Sequence, residues 1–108
     1  LADIKEIRLP FEPEGYFTSY QSFSIFLKDE CRMERNEVMQ KLLDRGLSTR
    51  RGVMTSHRET AYAERCKGIS LPRSEKVSDR SIVIPLYVPM TDEEVSYVIK
   101  EIRSVFGY

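Results

Sequence analysis

Polar and apolar positions alternate between residues 20 and 27. Phe23 and Ile25 fall on one side of an extended chain, and Ser22 and Ser24 fall on the other. A period of two residues is typical of a strand that is buried on one face. The pattern therefore predicts a strand over this stretch.

Composition rather than alternation predicts two further strands. Residues 81–87 form an almost continuous apolar run, which is typical of a strand buried on both faces. Because Pro85 lacks an N–H donor, we expect this strand to lie at a sheet edge or to bend there. Residues 47–53 suit a strand less well, since Arg50 and Arg51 dilute their apolar character.

Helical spacing marks two longer elements. From about Met33 to Arg45 apolar residues recur at helical spacing, and Gly46 stands where a left-handed cap would end the helix. Thr91 and Glu94 have the spacing of a capping box, which predicts a helix over about Asp92–Phe106. Its apolar stripe, which we expect to be buried, consists of Val95, Val98, Ile99, Ile102 and Phe106.

The middle of the chain has the weakest pattern. Short helices are expected at residues 60–66 and 74–79, within a stretch that has few apolar residues. The order of elements lacks the regular β-α-β alternation and the glycine fingerprint of a nucleotide-binding fold. The sequence therefore predicts an α+β domain whose small, mainly antiparallel sheet of about three strands is covered by helices.

The length of 108 residues leaves room for one compact domain. Residues 1–15, broken by prolines and Gly15, are expected to be a linker, and residues 16–108 the domain. Because no apolar run approaches the roughly 20 residues needed to cross a bilayer and no secretory signal is present, we expect a cytoplasmic protein without a membrane partner. Cys31 and Cys66 stand alone, so we expect reduced thiols and no metal site.

The formal charge sums to zero but is unevenly distributed. Residues 45–80 contain nine Lys or Arg and four Asp or Glu, whereas residues 1–30 contain three and six. The basic middle could attract an anionic ligand, or it could be a solvated surface whose arginines pair with nearby carboxylates. Nucleic-acid binding is not expected, because the chain as a whole is not basic and has no recognised motif.

Candidate chemistry is concentrated between residues 50 and 62. Arg50, Arg51 and His57 are the candidate ligand-binding side chains, since guanidinium and imidazole groups suit phosphates and sugar hydroxyls. Structural pairing of the same side chains is the alternative. No nucleophile motif, second histidine or Gly-rich phosphate loop accompanies them. We therefore assign no catalytic or metal-ligating residue.

Five short motifs follow one another along the chain. They are Gly46-Leu47-Ser48-Thr49-Arg50-Arg51, His57-Arg58-Glu59-Thr60-Ala61-Tyr62, Pro72 with Ser74-Glu75, Ile84-Pro85-Leu86-Tyr87 and Met90-Thr91-Asp92-Glu93-Glu94-Val95. In this order and spacing, the motifs resemble the C-terminal region of the DegT/DnrJ/EryC1/StrS aminotransferases. The resemblance extends from about Leu9 to Val105. Thr55-Ser56 departs from it, since many members have Pro and an apolar residue at these positions.

The resemblance implies the detached small domain of an enzyme that depends on pyridoxal phosphate (PLP). Such an enzyme, usually a homodimer, transfers an amino group to a keto sugar linked to a nucleotide diphosphate, as in polysaccharide biosynthesis. Its large domain holds PLP and the Schiff-base lysine, so this fragment is expected to bind no cofactor and to be inactive alone. The small domain would close the active site, with Arg50, Arg51 and His57 contacting the nucleotide sugar.

The main alternative is a freestanding module that docks an anionic partner through Arg50–Arg58. Exposed apolar surface would favour a domain separated from a larger partner. The candidates for such a surface are Leu1, Ile4, Ile7, Tyr16, Phe17 and Tyr20. The same residues could instead complete the core of this domain.

Overall fold

Four strands and three α-helices make up the chain, of which the computed structural model describes residues 1–108. In chain order they are β1 (Ile7–Arg8), β2 (Phe23–Leu27), α1 (Arg35–Leu43), β3 (Arg50–Arg51), α2 (Pro72–Arg80), β4 (Ser81–Ile84) and α3 (Asp92–Phe106). Two 3₁₀ turns, Ser56–Arg58 and Thr60–Tyr62, lie between β3 and α2. None of the helices is long and apolar enough to span a membrane.

The strands form one antiparallel sheet in the order β1-β2-β4-β3. The α+β class is confirmed, with four strands in place of about three. The additional strand, β1, pairs Ile7 with Leu27 and Arg8 with Phe26. Of the two expectations for this strand, the edge position is wrong, because β4 lies inside the sheet. The strand instead ends at Ile84, directly before Pro85, and needs no N–H donor there.

The two faces of the sheet differ in chemistry. Ile25 pairs with Ile82 and Phe23 with Ile84, and this face packs against α1 and α3. The fully buried side chains of this core are Ile4, Ile25, Leu27, Val38, Leu42, Ile82 and Ile102. The opposite face carries a row of Arg8, Phe26 and Ser81 beside α2. No residue of α2 is fully buried, so polar contacts rather than an apolar core attach this helix.

Helix α3 begins and ends where its capping box and apolar period predicted. Thr91 Oγ1 accepts a hydrogen bond from the Glu94 N–H at 3.2 Å, and the Glu94 carboxylate accepts one from the Thr91 N–H at 2.9 Å. Of the predicted stripe only Val98 and Ile102 are buried. Val95 and Ile99 are exposed, contrary to expectation, because the single core covers a narrow arc of the helix.

The N-terminal residues contribute directly to the core. Ile4 and Ile7 are buried, and Leu1 packs against the same cluster. For Ile4 and Ile7 the core interpretation is therefore confirmed. Tyr16 and Phe17, in contrast, are 74% and 91% exposed. The domain boundary at residue 15 stays a prediction.

Candidate functional site

The two adjacent arginines of β3 lie at one edge of the sheet. Arg50 faces Val83 and Arg51 faces Ile82 across the pairing with β4. Because adjacent strand residues point to opposite faces, Arg50 belongs to the face opposite the core and Arg51 to the core face. Both are exposed, and neither side chain forms a hydrogen bond or ion pair within the domain. A ligand on one face of the sheet therefore meets only one of the two guanidinium groups.

Arg50 lines a cleft of about 410 Å³ at the end of β4. The polar groups around it are the guanidinium of Arg50, the amide of Gln21, the hydroxyls of Ser22 and Ser48, and the phenol of Tyr87. These are donors and acceptors that suit sugar hydroxyls, with one fixed positive charge for an anion. The residues that line this cleft therefore suit a polar, negatively charged ligand.

A second cleft of about 600 Å³ shares Ser48, Pro85 and Tyr87 with the first. The two clefts therefore adjoin at these three residues, and together they are called the groove. The second also includes Tyr97, whose hydroxyl donates a 2.7 Å hydrogen bond to the Arg45 carbonyl oxygen. This bond fixes one wall of the groove, because it ties α3 to the turn after α1.

His57 is turned toward α2. Its Nε2 lies 2.9 Å from Oε1 of Glu75, and its side chain is only 7% exposed. The same carboxylate oxygen accepts the Leu71 N–H at 2.7 Å. The Leu71 N–H, followed by the His57 imidazole, lowers the pKa of Glu75 below its ordinary value of 4.5. His57 therefore holds a helix in place and does not line the cleft beside Arg50.

The turn containing His57 has further attachments to α2. Arg58 Nη1 donates to both oxygens of Asp79, at 2.9 and 3.0 Å, and this interaction raises the pKa of Arg58. Ser78 Oγ donates to the Val53 carbonyl oxygen at 2.7 Å. Residues 53–58 are thus tied to α2 by three side-chain contacts.

The candidate residues predicted from the sequence do not form one cluster. Arg50 lines the cleft, Arg51 lies on the other face, and His57 contacts Glu75. Sequence reasoning missed Gln21 and Ser22. The antiparallel register pairs Phe23 with Ile84, and so places the residues before β2 beside those after β4. Only the strand pairing could have indicated this, because no local motif marks these positions.

Comparisons with known proteins find one matching family model and several solved structures with a similar fold. Residues 1–103 match the model of the DegT/DnrJ/EryC1/StrS aminotransferase family. The aminotransferase TlmJ from Streptoalloteichus hindustanus is 26% identical over 99% of this chain, with a TM-score of 0.84. The sugar aminotransferase CalS13 from Micromonospora echinospora is 22% identical over 95%, with a TM-score of 0.77. A DegT DnrJ EryC1 StrS aminotransferase from Brucella abortus is 23% identical over 95%, with a TM-score of 0.75. The chain spans 26–28% of the length of these three proteins.

Proposed function

Because this chain belongs to the DegT/DnrJ/EryC1/StrS aminotransferase family, we propose that it is the small domain of a PLP-dependent aminotransferase acting on nucleotide-diphosphate keto sugars. The observation that carries the proposal is the family match over residues 1–103, combined with the quarter of a whole enzyme that the chain spans. The rest of the enzyme would be a large domain of the same polypeptide.

The residues of this chain do not fit PLP by themselves. All six lysines are exposed or only half-buried, and Lys41 and Lys76 pair with carboxylates. A lysine that forms an imine at neutral pH is usually desolvated, because burial lowers its pKa and frees the amine. PLP, which supplies the electron sink for amino transfer, would be bound by the large domain.

The contribution of this domain would be to position substrate and to close the active site. In this proposal Arg50 donates charge-assisted hydrogen bonds to the diphosphate, and the hydroxyls of Ser22, Ser48 and Tyr87 contact sugar or ribose. An arginine suits this role, because its charge is permanent and its donors are arranged for phosphate oxygens. His57 would keep the loop after β3 in place from its position against Glu75.

The shape of the domain supports a larger partner. Its radius of gyration is 15.5 Å, whereas a compact chain of this length has about 13 Å. Phe11, Tyr16 and Phe17 protrude from the segment before β2 with 74–91% of their surface exposed. We infer that these aromatic side chains pack against the large domain, within a homodimeric cytoplasmic enzyme.

The alternative is a freestanding module that binds an anionic partner through Arg50–Arg58. The ion pairs at His57 and Arg58 weaken it, because these side chains already have partners in α2. Only Arg50 and Arg51 remain available for an acidic surface. Two charges on opposite faces of a strand make a poor docking patch.

The complete reading frame that encodes this sequence provides the test. The purified product, supplied with PLP and glutamate, should aminate a nucleotide-diphosphate keto sugar. Arg50→Gln should raise the KM for the sugar by about tenfold, the value of one charge-assisted hydrogen bond, with kcat little changed. The matched control is Arg65→Gln, at an exposed arginine outside the groove, which should leave both constants unchanged. A reading frame with nothing before Leu1, or a full-length product without transaminase activity, would contradict the proposal.

A further inference from the structure

We propose that the cleft between α2 and the β1–β2 side of the sheet is a binding site for a phosphate-class anion such as a diphosphate. This cleft measures about 560 Å³, a size suited to a small ligand. It is distinct from the groove beside Arg50. The assignment goes beyond the proposed function and stands independently of it.

Positive charge dominates the lining of this α2–β2 cleft. Four cationic side chains and two carboxylates surround it, which gives a formal charge of +2. The cationic residues are Arg8, Lys28, Arg73 and Lys76, and the acidic ones are Asp29 and Glu30. Lys76 Nζ already pairs with Asp29 Oδ2 at 2.8 Å, and Arg80 Nε lies 3.9 Å from the other oxygen. The side chains of Arg8, Lys28 and Arg73 have no carboxylate partner in the domain.

Like charges therefore face each other across a contact between helix and sheet. Arg73 and Lys76 lie three residues apart on α2 and share one face of the helix. Arg8 is in β1, and Lys28 directly follows β2. Unpaired like charges in a concave site repel each other and raise the local potential, so an anion bound between them relieves the repulsion.

One donor of the cleft, Arg8, is already held in position. Arg8 Cζ lies 4.7 Å from the centre of the Phe26 ring, so the guanidinium rests on an aromatic floor. Stacking of this kind leaves the N–H groups at the edge of the plane free to bind phosphate oxygens. On the other wall, Arg80 donates to the carbonyl oxygens of Leu27 and Lys28 and so anchors α2. Arg8 and helix α2 would thus need little further ordering when a ligand binds.

The position of Arg8 separates this site from the proposed substrate groove. With the strand order β1-β2-β4-β3, Arg8 and Arg50 stand on the two outer strands. Three strand spacings amount to about 14 Å, which is more than the length of a diphosphate. The two clefts also share no lining residue, so an anion bound between Arg8 and Arg73 is held by different side chains from an anion bound at Arg50.

Amide NMR of the 108-residue chain titrated with inorganic pyrophosphate tests the assignment. We expect saturable shifts at the amides of Arg8, Lys28 and Arg73, which weaken as salt is raised. Arg73→Gln should weaken binding about tenfold. Arg65→Gln, at an exposed arginine that lines neither cleft, should leave the affinity unchanged. Arg8→Gln should weaken binding as well. If this variant fails to fold because it loses its contact with Phe26, Lys28→Met replaces it, with the same expected loss of affinity.

Uridine diphosphate forms the second arm of the experiment. If uridine diphosphate binds more tightly than pyrophosphate, the cleft recognises a nucleotide diphosphate. If the two bind equally, the cleft recognises the diphosphate group alone. Either result supports the site. Absence of saturable shifts at about 10 mM pyrophosphate would overturn it. An equal loss of affinity in Arg65→Gln and Arg73→Gln would also overturn it, because it would indicate general charge attraction. Neither result bears on the enzyme assay with Arg50→Gln, so failures of the two proposals are distinguishable.

Discussion

His57 and Glu75, 18 residues apart in the chain, meet with 2.9 Å between Nε2 and Oε1 and join the turn after β3 to α2. This contact matters because no apolar residue between Ser48 and Ser81 belongs to the core cluster. Beyond the pairing of β3 with β4, the segment is held by side-chain hydrogen bonds and ion pairs. Its position should therefore depend on pH and salt more than the position of the core does.

The Glu75 carboxylate should make the domain more sensitive to acid. Its pKa is lowered by the Leu71 N–H and by His57, so its contribution to stability is present above its ordinary pKa of 4.5. That contribution is lost as pH falls through the lowered value. In urea unfolding at pH 7 and pH 3, Glu75→Gln should lose less stability on acidification than the parent chain. Glu59→Gln, an exposed control, should behave like the parent; equal pH dependence in all three chains would contradict this role.

Gly52 should resist replacement because of its neighbour Ser81. A Cβ atom added at residue 52 would lie 2.4 Å from the Ser81 Cβ and 3.0 Å from the Ser24 Oγ. Gly52→Ala should therefore cost about 1–3 kcal/mol in urea unfolding, because β3 must move away from β4. Ser81→Gly removes the closest obstructing atom and should recover part of that loss. If the double variant is no more stable than the summed losses of the two single variants predict, the steric explanation is wrong.

Ile102 and Ile99 form a matched pair on α3. Ile102 is fully buried, whereas Ile99 is 37% exposed. Ile102→Ala should cost about 2–5 kcal/mol of unfolding free energy, and Ile99→Ala clearly less, because its replacement opens no closed cavity. Urea unfolding of both variants provides the comparison. Equal losses would mean that α3 does not bury Ile102 more deeply than Ile99.

Local sequence signals predicted those elements whose formation depends on residues close together in the chain. The capping box and apolar period placed α3 correctly, because each acts within one helical turn of the chain. The two-residue strand β1 exists through its pairing with Leu27 and Phe26, which are almost 20 residues away. No local pattern could predict it.

The candidate site was predictable only in part for the same reason. The sequence indicated Arg50, Arg51 and His57 by residue type, but strand alternation separates the two arginines and Glu75 engages the histidine. Helix α2 runs from Pro72 to Arg80 and is therefore longer than the predicted residues 74–79. Its attachments to the rest of the domain are polar. Hydrophobic periodicity gives no account of polar attachments, so their partners had to come from the three-dimensional structure.

Hydrogen exchange should show that residues 53–80 open more readily than the core strands and α3. The segment supplies no side chain to the apolar core, so its opening need not expose that core. Because its ties include Arg58–Asp79 and Lys76–Asp29, added salt should screen them and speed exchange there. Mass spectrometry at pH 7 should show faster exchange for residues 53–80 than for β2, β4 and α3. The difference should widen between low salt and about 1 M NaCl, where the Debye length is only about 3 Å. Arg58→Gln should reproduce the effect of salt without any added salt, whereas Arg65→Gln should not. Uniform protection across the chain at both salt concentrations would mean that polar contacts hold this segment as firmly as the core holds the sheet.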